Sequence, residues 1–147
     1  MLEPSSTSNS LPLSRRAARR LIQRAWVLAG RDRTARQHFR ELRLATLWTL
    51  EDWDFAWTVF FERGRLTFDR RPAKSPDVTF TWRSATEFFN QVEGDRLPPL
   101  SSSEDEGFRF EGPLEVKRTL EPVCRAFAAA LSQVLRDPVD ENGDPLV

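Results

Sequence analysis

The apolar positions change period twice along the chain. From Arg15 to Ala29, Ala18, Leu21, Ile22, Ala25, Trp26 and Leu28 or Ala29 recur at helical spacing. Ser14 precedes them as an N-cap, Gly30 follows as a stop, and Arg15, Arg16, Arg19, Arg20 and Arg24 cover the opposite face. Residues 31–43 are polar, with room for a short second helix carrying His38 and Phe39. The period then drops to two. Strands are predicted at Leu42–Leu50, Asp54–Glu62, Leu66–Arg70 and Val78–Trp82, with Gly64 marking a tight hairpin.

Ser84-Ala85-Thr86-Glu87 fits a capping box, so a helix is predicted from there through Phe88, Phe89 and Val92 to Gly94. A Pro, Ser and acid-rich loop spans 95–107, and Phe108–Glu111 reads as a short strand ended by Gly112. Pro113 suits the first position of a helix in which Val116, Leu120, Val123, Phe127, Ala130 or Leu131, and Val134 recur every three to four residues. Pro122 lies inside that pattern, so a kink or a pair of helices is expected. The reading divides the chain into a disordered start (1–13), an Arg-rich helical arm (14–40), a core domain (41–137) and a polar disordered tail (138–147).

Two segments carry a family resemblance. Pro76-Asp77-Val78-Thr79-Phe80-Thr81-Trp82 followed by Ser84 to Gly94 resembles the sterol carrier protein type two pattern, in which an Asp-Val/Ile-Thr strand runs into a helix ending at Gly. Phe108-Arg109-Phe110-Glu111-Gly112 with Pro113 to Leu120 resembles that family's later strand and the helix after it. Trp57 to Gly64 is similar to its central hairpin. The resemblance spans residues 40–136. It departs in the Ser-rich acidic stretch before Phe108 and in residues 1–43, which have no detailed counterpart. It implies an α+β fold, a five-stranded mostly antiparallel sheet covered by helices, here with an extra N-terminal helix. It also implies an apolar cavity for a sterol-, acyl- or isoprenoid-quinone-like molecule.

Composition sharpens this. Eleven Phe and five Trp stand beside no Tyr, so most rings lack a polar handle and favour a dry interior. Trp57, Phe68, Phe80, Trp82, Phe88, Phe89, Val92, Phe110, Leu120, Phe127 and Leu131 are the expected cavity wall; the same residues could equally fill a core. Net charge is zero but segregated: residues 1–43 hold ten Arg against three acids, and residues 44–147 hold twelve basic against nineteen acidic residues. The N-terminal helix therefore has two readings. Arg15, Arg16, Arg19, Arg20 and Arg24 could meet an anionic membrane with Trp26 at the headgroup boundary, or the helix could pack on its own domain. Nucleic acid is not an expected partner, because the domain as a whole is not basic.

Chemistry has few candidates. One Cys, Cys124, excludes an internal disulfide, and one His, His38, removes most metal and triad schemes. Cys124 belongs beside the apolar stripe of the last helix and His38 on a polar surface, while Asp52, Asp54 and the run Glu104-Asp105-Glu106 read as strand-end and loop acids. No phosphate loop, dinucleotide fingerprint or nucleophile elbow occurs. The expectation is a non-catalytic lipid carrier without cofactor or metal, cytoplasmic or peripheral at a membrane. The alternative is a protein-interaction accessory module that uses the same cavity or surface to bind a partner protein.

Overall fold

Ser14 opens the first helix by accepting the Ala17 N–H on its hydroxyl at 3.1 Å. In the computed structural model, described for residues 14–93, 107–140 and 142–145, that helix is α1 (Arg15–Arg31). It runs one residue past Gly30, the expected stop. Gly30 instead permits a close approach: a Cβ there would lie 3.3 Å from Cβ of Leu66. Asp32 separates α1 from α2 (Arg33–Phe39) and caps it, its carboxylate accepting the Ala35 N–H at 2.8 Å. The polar stretch after Gly30 thus becomes a short helix with Ala35 and Phe39 buried.

The strands are β1 (Arg43–Leu50), β2 (Phe55–Glu62), β3 (Arg65–Asp69), β4 (Val78–Trp82) and β5 (Phe108–Glu111), in sheet order β3-β2-β1-β4-β5. All neighbours are antiparallel except β1 and β4. A parallel pair needs a crossover. Here it is the loop after β3, which the Thr58 hydroxyl holds by donating to the Arg71 carbonyl at 2.7 Å and accepting the Ala73 N–H at 2.8 Å. Asp77 then sets the β4 register, exchanging two bonds with the backbone of Ala45 at 2.7 and 2.8 Å.

Asp52, on the 3-10 turn Glu51–Trp53, accepts the Ala85 N–H at 2.9 Å, and the Ser84 hydroxyl accepts that of Glu87 at 3.1 Å. Together they start α3 (Ala85–Glu93). The expected stop at Gly94, the loop 95–106, the acid run within it and residues 1–13 lie outside the described residues. The last helix, α4 (Leu114–Arg136), is one element that continues through Pro122, and Pro113 is its N-cap instead of its first residue. In the tail, the Asp140 carboxylate accepts the N–H groups of Asn142 and Asp144, closing a small turn.

The register puts Trp48, Trp57 and Phe80 side by side on one sheet face, with Leu50, Phe55, Trp82, Phe108 and Phe110 in line with them. Helices α1 and α4 pack against each other over that face, and Trp26 of α1 meets Trp48 of β1 and Phe127 of α4.

Candidate functional site

The site is the aromatic layer between the sheet and the two long helices. Trp26 stacks on Phe127 with ring centroids 4.1 Å apart and planes 10° off parallel. Trp48 receives the edge of Trp26 at 5.0 Å and stacks on Phe80 at 4.3 Å. Phe88 of α3 meets Trp82 edge-on at 4.9 Å and Phe127 at 6.3 Å. Such offset and edge-to-face pairs are the favoured geometries of quadrupolar rings.

Of the expected wall, Trp57, Phe80, Trp82, Phe88, Phe89, Val92, Leu120, Phe127 and Leu131 are buried in one apolar cluster. Phe68 and Phe110 are half-buried against it, Phe110 with its ring 5.2 Å from that of Phe80. In this arrangement rings from the sheet and from the helices meet one another between the two layers. Trp26 and Trp48 belong to the same layer and were absent from the expected wall. The signal for Trp48 was available, since it alternates with Thr46 and Leu50 along β1, all three buried. Its indole N–H donates to the Thr46 hydroxyl at 2.8 Å, which in turn donates to the Val59 carbonyl at 2.9 Å.

Polar groups are sparse here. The Trp82 indole N–H donates to Gln91 Oε1 at 2.7 Å. Among the described residues, the buried indole N–H groups of Trp26 and Trp57 have no acceptor. A buried donor left unpaired costs about 1–3 kcal/mol. At the β5 end, the Lys117 ammonium lies 5.6 and 5.7 Å from the rings of Phe108 and Phe110, the residue only 8% exposed.

The arginine face of α1 differs from expectation at two positions. Trp26 is fully buried, so its placement at a headgroup boundary is corrected: the helix turns this ring inward because the layer offers it Phe127 and Trp48. Arg19 lies over Phe55, its Cζ 4.9 Å from the ring centre, with Nε buried, and is drawn away from a surface role. Arg24 is half-buried, while Arg15, Arg16 and Arg20 are exposed.

The residues weighed for chemistry have structural positions. Cys124 is buried, and that burial pushes its thiol well above the ordinary range, with Glu121 adding to the shift and Lys117 opposing it. Such a thiol is a poor nucleophile. His38 is exposed on α2. Asp52 is the cap described above, and Asp54 occupies a left-handed turn position with φ of 51°. Among the described residues, His, Cys, Asp and Glu nowhere gather in groups of three that could hold a metal, and no helix is long and apolar enough to cross a membrane.

A mixed five-stranded sheet backed by helices over one apolar layer defines the class: this is the sterol-carrier-protein type of fold. Two solved structures agree. The solution structure of a conserved hypothetical protein from Thermus thermophilus, suggested there to be a sterol carrier protein, is similar with a TM-score of 0.57 and 12% identity over 86% of this chain and 92% of that one. The crystal structure of sterol carrier protein 2 gives 0.51 and 14% over 76% and 91%. A ubiquinone synthesis protein, UbiJ-SCP2, is more distant in shape, at 0.48 and 13% over 73% and 85%. No protein-family model and no curated protein matches the sequence.

Proposed function

We propose that the chain is a non-catalytic lipid-binding protein. It admits an elongated apolar molecule between its sheet and the α1–α4 layer, as the rings move apart. The observation that carries this is the unpaired pair of buried indole donors, Trp26 and Trp57, within an otherwise apolar layer of the sterol-carrier fold. An interior built only to be filled has no use for two N–H groups without acceptors. A guest bearing a carbonyl, hydroxyl or ester oxygen would satisfy them. Its hydrocarbon would bind through burial, at about 0.8 kcal/mol per methylene, without specific contacts.

Docking follows from the same reading. Arg15, Arg16 and Arg20 project from the first turns of α1 and would meet an anionic lipid surface from which cargo is taken. The helix contributes its apolar face to the core, so this contact is electrostatic and needs no insertion.

The test is organic extraction of the purified protein with mass spectrometry, alongside titration with a fluorescent acyl probe. A co-purifying oxygenated lipid, or micromolar probe binding weakened by Trp57→Phe, is the expected result. Extracts free of lipid together with no probe binding would remove the proposal. For docking, Arg15, Arg16 and Arg20 changed together to Gln should reduce sedimentation with anionic vesicles, most at low salt.

A further inference from the structure

At the opposite end of α1 from these arginines, a second basic feature is built by the fold. The short helix α2 sets Arg33, Arg36 and Arg40 at intervals of three and four, so they share one face, while Ala35 and Phe39 are buried on the other. The tip of the β2–β3 hairpin brings in a fourth. Its turn residues, Arg63 and Gly64, have φ of 49° and 85°, the pattern of a type I′ turn. Two backbone bonds fasten this tip beside α2: the Gly64 N–H donates to the Phe39 carbonyl at the helix end at 3.3 Å, and the Arg63 N–H to the Leu42 carbonyl, in the link to β1, at 2.9 Å. Between helix and tip lies a cleft of about 440 Å³, lined by Arg33, Arg36, Gln37, Arg40, Arg63 and Gly64.

Among the described residues, four arginines line this cleft and no carboxylate does. The nearest acids in sequence are otherwise occupied or outside it. Asp32 caps α2, Glu62 faces Arg43 at 4.0 Å, and Glu41, next to Arg40, is exposed and does not line the cleft. Among the described residues, none of the four arginines forms an ion pair. Arg63 is also a strained choice. A left-handed turn position favours Asn, Asp or Gly, and an arginine there is held by its surroundings in a sparsely populated conformation. The Phe39 carbonyl at the end of α2, which would oppose an anion, is already covered by the Gly64 N–H.

We propose that this cleft binds a phosphate group, as a monoester or diphosphate, through the paired N–H donors of Arg36, Arg40 and Arg63, with Arg33 at its edge. Planar guanidinium forks match phosphate oxygens two at a time, which a dispersed surface charge does not. A compact anion fits better than a nucleic acid. Residues 44–147 carry nineteen acids against twelve basic residues, which repel a long polyanion while leaving a local cleft attractive. The group can come from a free phosphate ester or from a phospholipid headgroup presented at a membrane. This site does not depend on the lipid-layer proposal, since it shares no residue with that layer.

The experiment uses the full chain, with inorganic pyrophosphate in calorimetry and vesicles with and without phosphatidic acid in co-sedimentation. Pyrophosphate should bind in the wild type, and the double variant R36Q/R63Q should weaken it roughly tenfold or more. Arg63→Gly, which suits the left-handed turn, guards against a folding artefact and should weaken binding on its own. Circular dichroism confirms that each variant is folded. If phosphatidic acid vesicles lose the same binding in the double variant and pyrophosphate competes with them, the source is a headgroup. If vesicle binding is unchanged, the source is a free phosphate ester. Pyrophosphate that does not bind, or binds R36Q/R63Q as well as wild type, overturns the proposal. So does a single-stranded RNA that binds through these arginines while pyrophosphate fails to displace it.

Discussion

Trp26 separates a core role from a surface role most sharply, so its replacement is the most informative single change. The indole is fully buried, stacked on Phe127 at 4.1 Å and edge-on to Trp48 at 5.0 Å. Truncating a buried Trp to Ala costs about 3–5 kcal/mol, the loss of ring contacts included. The same change removes an indole N–H that has no acceptor, which returns about 1 kcal/mol or more. Trp26→Ala should therefore destabilise by about 3 kcal/mol. Trp26→Phe keeps a ring against Phe127 and loses the unpaired donor, so its cost should fall to about 1 kcal/mol or less.

Urea unfolding followed by far-ultraviolet circular dichroism measures both. With a slope near 2 kcal/mol per molar urea, the alanine variant should unfold roughly 1.5 M earlier and the phenylalanine variant within about 0.5 M of the parent. An alanine variant that unfolds with the parent would refute the reasoning, because an indole at a membrane boundary is dispensable for folding in water. A phenylalanine variant as damaged as alanine would show that the N–H has an acceptor after all.

Gly112→Ala should cost more than about 2 kcal/mol in the same assay, since φ there is 142° and a Cβ would lie 2.6 Å from Cγ1 of Val78. Retained stability would mean that β5 can shift away from β4. The Cys124 thiol should resist iodoacetamide in the folded protein and react on unfolding, because the nucleophile is the thiolate and burial raises its pKa above the ordinary 9.0. The folded state holds this proton more tightly than the unfolded state, so the contribution is complete below pH 9.0 and is lost as pH rises beyond it. Cys124→Ala should flatten that alkaline decline, and an unchanged decline would assign it to other groups.

The strands and helices were legible because their apolar periods are regular. Val78, Phe80 and Trp82 alternate with Thr79 and Thr81, and the first three are buried on the core face of β4, although Thr81 is buried as well. The helix starts were legible through Ser14 and Ser84, whose hydroxyls cap as their positions imply. Four features were not. Asp52 caps α3 from 33 residues away, a contact that no local pattern contains. Pro122 was expected to interrupt a helix, yet α4 runs through it, with Leu120, Val123, Cys124 and Phe127 buried on both sides. Tertiary burial overrides propensity there. Trp26 looked suited to a membrane edge because a sequence shows an amphipathic stripe without showing what covers it. The arginine cleft was equally hidden, since Arg63 joins Arg33, Arg36 and Arg40 only when the hairpin tip bonds to the end of α2.

The layer's packing also bears on what a guest must be. Admitting one means parting rings such as Trp26 and Phe127, a loss of about 1 kcal/mol for each pair beyond the burial forfeited. Association adds at least about 4 kcal/mol of lost freedom. Each methylene buried returns about 0.8 kcal/mol, so short chains cannot open the layer and long ones can. Affinity across a series of fatty acids should then rise about fourfold per added methylene, up to the length the space between sheet and α4 accepts. Calorimetry or displacement of a fluorescent probe reads that slope directly. A series in which affinity is flat with chain length would place the acyl chain on the surface, and the aromatic layer would then be a closed core with no guest.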